Sequence, residues 1–305
     1  MHLIKLLRSN LFINRTLAWL LKLTHNPKIT SRWPLKGIVK IKVAGHKIKF
    51  YSDCDDFLVS NLFYGFDAEE LSEVNFLLKE KFVVDGQAIL DIGSYNGLFS
   101  LAFAKTYPKN KVIAFEPNPV NAERIKKNLE INRINNIDLR ILGVSDSLAK
   151  LDFFIQSDNK MTTVSSFSHQ FTLNHTKGNI DKITVDTVTL DQFCHQNNVK
   201  PGFLKIDVEG HELNVFKGGE QIINKYQPVI LCELFTKKYN TMEDYQNSES
   251  IAWQIEQILS KSKYQYYALE NGKLKRFYSL SVEKSNRNFV FLPNHTLDSF
   301  STSIK

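Results

Sequence analysis

The stretch Ala88-Ile-Leu-Asp-Ile-Gly-Ser-Tyr-Asn-Gly97 constrains this chain more than any other. An apolar run ends in Asp91 and a glycine turn. Ile113-Ala-Phe-Glu-Pro-Asn118 follows as a second apolar run, ending in Glu116. The first pattern predicts a strand and a turn that opens a helix; the second predicts a strand with a carboxylate at its tip. Glu116 follows Gly97 by 19 residues, close to the spacing that sets an acid against a ribose diol in a doubly wound sheet. A nucleoside crevice is the first expectation.

The glycines then discriminate between nucleosides. A dinucleotide turn reads G-x-G-x-x-G, because bare backbone must approach a pyrophosphate at a helix N-terminus. Here Ser94, Tyr95 and Asn96 separate Gly93 from Gly97, so that approach is not provided. S-adenosylmethionine carries ribose and adenine but no phosphate, and needs no such cradle.

Downstream the chain alternates strand and helix. Strands are expected at Ala88 to Ile92, Val112 to Phe115, Ile137 to Leu142, Phe203 to Ile206 and Val229 to Glu233. Helices are expected near Leu98 to Thr106, Pro119 to Asn132, Leu190 to Asn197, His211 to Lys217 and Ile251 to Lys261. Such βα units predict a mainly parallel sheet covered on both faces. Leu151 to Gln156 and Ile183 to Thr189 read as paired strands around a polar loop, Ser157 to Asp181, and Tyr264 to Leu269 with Asn288 to Leu292 as a closing hairpin. Before the alternation begins, Val39 to Phe50 reads as a hairpin and Ala68 to Phe82 as a helix. The expected organisation is a basic helix and linker over 1–35, a hairpin and helical cap over 36–85, a catalytic domain over 86–294 and a tail over 295–305.

Ligands of open α/β sheets bind beyond the carboxyl ends of the strands. The polar residues there are Asp91, Glu116, Ser145 with Asp146, Asp207 with Glu209, and Glu233. In Leu204-Lys-Ile-Asp-Val-Glu-Gly-His-Glu212, strand alternation puts Asp207 and Glu209 on the same side. Two acids and His211 at a sheet edge are candidates to orient a hydroxyl and remove its proton. The plainer reading is that the acids pair with Lys205 or cap the helix that begins at His211. A lone histidine is seldom the base.

The net charge of +7 has a location: residues 1 to 50 hold eleven Lys or Arg and no acid, leaving 28 basic against 32 acidic residues beyond them. A mildly acidic body argues against an RNA-modifying enzyme, which meets phosphates with positive charge. Lys5, Arg8, Arg15 and Lys22 share one helical arc, with Leu3, Leu6, Leu7, Ile13, Leu17, Leu20 and Leu21 opposite. Three uses fit: an in-plane membrane helix, a helix packed on protein, or a targeting segment. Cys54, Cys194 and Cys232 show no C-x-x-C pair and leave an odd count, which favours a reducing, cytoplasmic compartment, with peripheral membrane contact through residues 1–30 left open. The scattered histidines assign no metal. Clustered carboxylates leave a Mg²⁺-assisted version as the lesser alternative.

From about Asp53 to Glu233 the chain resembles the FkbM-type S-adenosylmethionine-dependent methyltransferases. The resemblance is carried by the DIGSYNG turn, Phe115-Glu-Pro-Asn118, Asn128, Gly143-Val-Ser-Asp146, Leu190-Asp191, the Leu204 to Glu212 motif, Phe216-Lys-Gly-Gly219, and Pro228 with Glu233. It implies a Rossmann-like, class I methyltransferase sheet, α/β with seven mainly parallel strands and the last antiparallel. It further implies O-methylation of a sugar or natural-product hydroxyl. The family turn reads closer to D-x-G-A-N-x-G; here Ser94 and Tyr95 fill the alanine and asparagine slots, and Asn96 the next. On this reading Asp91, Gly93, Ser94, Asn96 and Gly97 serve the methionine end, Glu116, Pro117 and Asn118 the ribose, and Ser145 with Asp146 the adenine. Asp207, Glu209, His211 and Glu233 serve the acceptor. Two other classes share the sheet: a nicotinamide-dependent oxidoreductase, opposed by the missing phosphate turn, and a non-catalytic membrane-peripheral module.

Overall fold

The computed structural model describes residues 35–53, 56–64, 68–80, 82–157, 165–176, 178–236, 241–270, 273–281 and 285–300, together with 10, 13, 14, 16 and 304. The expected basic helix of residues 1–30 lies almost wholly outside these. Among the described residues, no helix is long and apolar enough to cross a membrane.

Strands β1 (Lys36–Val43) and β2 (His46–Asp53) form a separate hairpin. Its two-residue loop is Ala44-Gly45, both left-handed, which suits a tight hairpin turn. Val39, Ile41, Val43, Ile48 and Phe50 point inward. The lysines between them face out, which is the period-two pattern of a one-sided sheet.

The main sheet contains β3 (Ala88–Ile92), β4 (Val112–Phe115), β5 (Ile137–Arg140), β9 (Pro201–Ile206), β10 (Val229–Thr236), β11 (Gln265–Glu270), β12 (Lys273–Phe277) and β13 (Ser285–Leu292). Their order is β12-β11-β13-β10-β9-β3-β4-β5. The strands from β10 to β5 pair in parallel, and β13 runs antiparallel to β10. From β3 the chain winds first toward β5, then returns to β9 and continues the other way. The switch point therefore lies between β3 and β9, the place where such sheets open a ligand crevice.

Eight strands stand where seven are expected. The eighth, β12, forms a hairpin with β11 at the edge of the sheet, while β11 also pairs with β13 as the closing pattern predicts. Lys273-Leu-Lys-Arg-Phe277 is too charged to announce a strand, and charge is how exposed edges resist further pairing. The strand expected over Ile137 to Leu142 breaks at Arg140. β6 (Gly143–Val144) instead joins a small sheet with β7 (Lys150–Gln156) and β8 (Ile180–Val188). The polar loop between β7 and β8 contains a helix, His169–His175, capped by Ser168 Oγ, which accepts from the Phe171 amide at 3.2 Å.

Two cores cover the two faces. One packs the hairpin and helices 57–64, 68–80 and 98–106; the other packs helices 190–196, 212–218, 220–226 and 251–260. Along β9, Phe203 enters the first core and Leu204 the second, so Lys205 returns to the first face as strand alternation requires. Residues expected as a tail include a 3₁₀ turn, Asn294–Phe300, whose Phe300 is buried against Phe76 and Phe82.

Candidate active site

The turn after β3 is shaped by backbone crowding. Gly93 has φ +82°, and a Cβ there would lie 1.8 Å from the Asp207 carbonyl oxygen. The Asp207 amide also donates to the Ile92 carbonyl at 3.1 Å. Gly93 is thus required so that the ends of β3 and β9 can touch. Gly97, also left-handed, caps helix Leu98–Thr106. The Ser94 hydroxyl donates to the Asp91 carbonyl at 2.8 Å and stands 3.3 Å from that of Phe115, which ties it into the turn.

Glu116 sits at the tip of β4 and is only 4% exposed. One carboxylate oxygen accepts from the Tyr95 amide at 2.8 Å; the other accepts from the Asn118 amide at 2.9 Å and Asn121 Nδ2 at 3.3 Å. Burial outweighs these donors and pushes its pKa up to about 7. Pro117 leads into helix Pro119–Asn132, where Asn118 is the N-cap and its Oδ1 accepts from the Val120 amide at 3.0 Å.

Asp91 is 2% exposed, and burial raises its pKa against the opposing pull of Lys205. Its Oδ2 accepts from the Ser100 amide and hydroxyl at 3.1 and 2.6 Å. Its Oδ1 has no hydrogen-bond partner and faces Lys205 Nζ at 3.8 Å. Lys205 is itself nearly buried. It donates to the Gly93 carbonyl and to Asp207 Oδ2, both at 3.0 Å, and lies over the Phe99 ring. Read from sequence only as a neutralising partner, Lys205 joins the turn, Asp91 and Asp207 in one cluster.

Asp207 and Glu209 come together differently from the expectation. β9 ends at Ile206, and Glu209 and Gly210 adopt left-handed φ of 54° and 95°, so a tight turn, not strand alternation, aims these acids. Burial raises the Glu209 pKa to about 9, with Asp207, Glu233 and Glu212 adding like-charge repulsion. Glu212 Oε1 accepts from the Gly210 amide at 2.9 Å, and burial lifts this carboxyl to about 7. Glu233, on β10, stands opposite Asn288, whose Nδ2 donates to Glu73 Oε1 at 2.8 Å.

His211 belongs to another part of the crevice. Its Nε2 and the Ser145 hydroxyl share a hydrogen bond of 2.9 Å, and its ring lies against Phe167. Burial lowers its pKa to about 4, with Asp146 the opposing charge. Asp146 in turn accepts from Asn214 Nδ2 at 3.0 Å. His211 therefore gathers with Ser145 and Asp146. Gly218 allows this closeness, since a Cβ there would stand 2.0 Å from the Ser145 carbonyl.

The segment from Ser165 to His175 spans both ends of the crevice. Ser165 Oγ accepts from Asn118 Nδ2 at 3.2 Å, Ser166 Oγ donates to the Glu209 carbonyl at 2.6 Å, and the Phe171 ring lies beside Gly210. Asp56, Tyr95, Asn128 and Lys205 were not singled out as site residues by sequence reasoning. Tyr95, Asn128 and Lys205 lay within the motifs that carry the family resemblance; Asp56 had no such signal.

A Rossmann-like sheet with an antiparallel last strand, a carboxylate at the second core strand and a glycine turn without phosphate spacing define a class I methyltransferase architecture. Residues 91–267 match the methyltransferase FkbM domain, and the chain belongs to that family. It is similar to methyltransferase 1 of Beauveria bassiana, 28% identical over 185 residues, which cover 54% of this chain and 72% of that one. The hexuronic acid methyltransferase AglP of Haloferax volcanii is 29% identical over 163 residues, covering 53% and 61%. The 2-O-methyltransferase NoeI of Sinorhizobium fredii is 25% identical over 147 residues, covering 45% and 59%. Under two thirds of either of these last two is matched. The crystal structure of methyltransferase FkbM from Methylobacillus flagellatus aligns with a TM-score of 0.43 and 16% identity, over 78% of this chain and 55% of that one.

Proposed function

We propose that this methyltransferase is an S-adenosylmethionine-dependent O-methyltransferase whose acceptor is a hydroxyl of a sugar, glycolipid or similar small molecule. The observation that carries the reading is Glu116: a buried carboxylate at the tip of β4, fixed from behind by the Tyr95 and Asn118 amides. The donor set fits the cofactor. Glu116 offers acceptors for a ribose diol, and the orphaned Oδ1 of Asp91 suits the α-ammonium of a methionine end. Ser145 and Asp146, with His211 behind them, would border adenine. The name of AglP, a hexuronic acid methyltransferase, supports a saccharide acceptor, and that of NoeI, a 2-O-methyltransferase, supports transfer to oxygen.

When bound, the cofactor supplies a methyl group already activated on sulfonium. The residues of the chain then have to align the acceptor, exclude water and accept one proton. With its carboxyl pushed up to about 9, Glu209 is protonated at neutral pH and serves as a hydrogen-bond donor to the acceptor. Base duty falls first to Asp207, positioned by Lys205, and then to Glu233. The neutral His211 spends its Nε2 on Ser145 and leaves the group of candidate bases. General-base assistance of this kind is worth about 10²–10⁴-fold.

Calorimetry with S-adenosylhomocysteine on folded protein tests the cofactor, and no heat of binding would end the reading. The acceptor is tested by incubation with S-adenosylmethionine and a panel of glycosides and glycolipids, with mass spectrometry reading methyl gain. Methylation confined to amine or carboxylate members would refute the hydroxyl assignment.

A further inference from the structure

The family match begins at residue 91, yet the cofactor turn is held from outside that segment. Asp56 is 0% exposed and precedes helix Phe57–Tyr64, where its Oδ1 caps the Val59 amide at 3.0 Å. The same carboxylate accepts from the Tyr95 hydroxyl at 3.3 Å and from Asn96 Nδ2 at 3.2 Å. A second tie runs through Asn128. Its Oδ1 accepts from the Tyr51 amide of β2 at 2.7 Å, and its Nδ2 donates to the Asn96 carbonyl at 2.9 Å. One helical turn further on, Asn132 exchanges both bonds with the Lys49 backbone. The buried Asp56 and Asn128 therefore join helix 57–64 and the hairpin to the crest of the turn, while Asn132 ties the hairpin to helix 119–132.

The crest needs such support. Tyr95 is a non-glycine residue at φ 51°, a conformation that costs on the order of 1–2 kcal/mol for an L residue, and it must hold that shape for its amide to meet Glu116. We infer that Asp56 is a positioning residue for the cofactor turn, so that residues 46–53 and 56–64 complete a site whose matched family domain begins at residue 91. The inference rests on the reading of the Asp91–Gly97 turn as the S-adenosylmethionine site. Asp56 acts through Tyr95 and Asn96, which set the amide that anchors Glu116.

Two substitutions separate this role from helix capping. Asp56→Ala removes the cap and the clamp together, whereas Tyr95→Phe removes one clamp bond and leaves the cap intact. The expected result is an S-adenosylhomocysteine affinity lowered about 10-fold or more in Asp56→Ala, as for loss of hydrogen bonds to a charged group. In Tyr95→Phe a several-fold loss is expected at an unchanged melting temperature. Hydrogen exchange of the ligand-free proteins reads the clamp without any cofactor, and residues 93–98 should exchange faster in both variants. Unchanged affinity, or unchanged protection in Tyr95→Phe, overturns the inference and reduces Asp56 to a cap. Absence of binding by the unsubstituted protein, with the exchange difference present, instead overturns the cofactor reading and with it the role given to Asp56.

Discussion

At the scale of single residues, burial governs the chemistry of the crevice. Glu116 is lifted to about 7, and its charged form is the better acceptor for a diol. Affinity for S-adenosylhomocysteine should therefore rise roughly tenfold from pH 6 to pH 8, and titration calorimetry across that range checks it. Glu116→Gln should bind weakly and lose the slope. For Glu209 the pH dependence is read in folding, and there it runs opposite to the binding trend at Glu116. The folded chain keeps its proton up to about 9, whereas the ordinary value is 4.5. The folded state binds more protons between those values, so stability falls as pH rises through the window. Glu209→Gln should flatten that decline and raise the melting temperature at pH 8; a steeper decline in the variant would contradict the assignment. Asp207→Asn should lower turnover about 10²–10⁴-fold while leaving cofactor affinity within a few-fold. Loss of binding instead would move Asp207 to the cofactor side.

Among elements, the contact between the ends of β3 and β9 decides most. Gly93→Ala would drive a methyl group into the Asp207 carbonyl and strain a left-handed residue at once. A loss of about 3 kcal/mol or more is expected, measurable by urea denaturation, along with loss of cofactor binding. The strands flanking this contact were legible because each is a short apolar run ending in an acid. The helices after them were legible from the strand–helix alternation, although neither has a side-chain cap. Helix 169–175 was not, since His169-Gln-Phe-Thr-Leu-Asn-His175 carries only two apolar residues within a polar stretch. β12 was hidden by its charge. The site's most consequential supports were hidden for another reason. Asp56 reaches Asn96 across 40 residues, and Lys205 reaches Gly93 across 112; no local pattern signals such meetings. The placement of His211 beside Ser145 depends likewise on a contact with a residue 66 positions upstream.

Over the whole molecule, the hairpin, the helix 68–80 and the 3₁₀ turn at 294–300 converge on one face of the sheet. Phe300 sits between Phe76 and Phe82, and Phe82 meets Phe203 on β9 at a tilt. Phe300→Ala should cost about 3–5 kcal/mol; a change of under 1 kcal/mol in chemical denaturation would show that this end of the chain is dispensable. The joint between Gly93 and Asp207 has a wider effect. Since main-chain contact and the buried Lys205 side chain together fix the gap between the two functional turns, changes in the surrounding loops can retune which molecule is admitted without altering the reach of the transfer. Selection is thereby free to diversify clients while the stroke length of the machine stays constant.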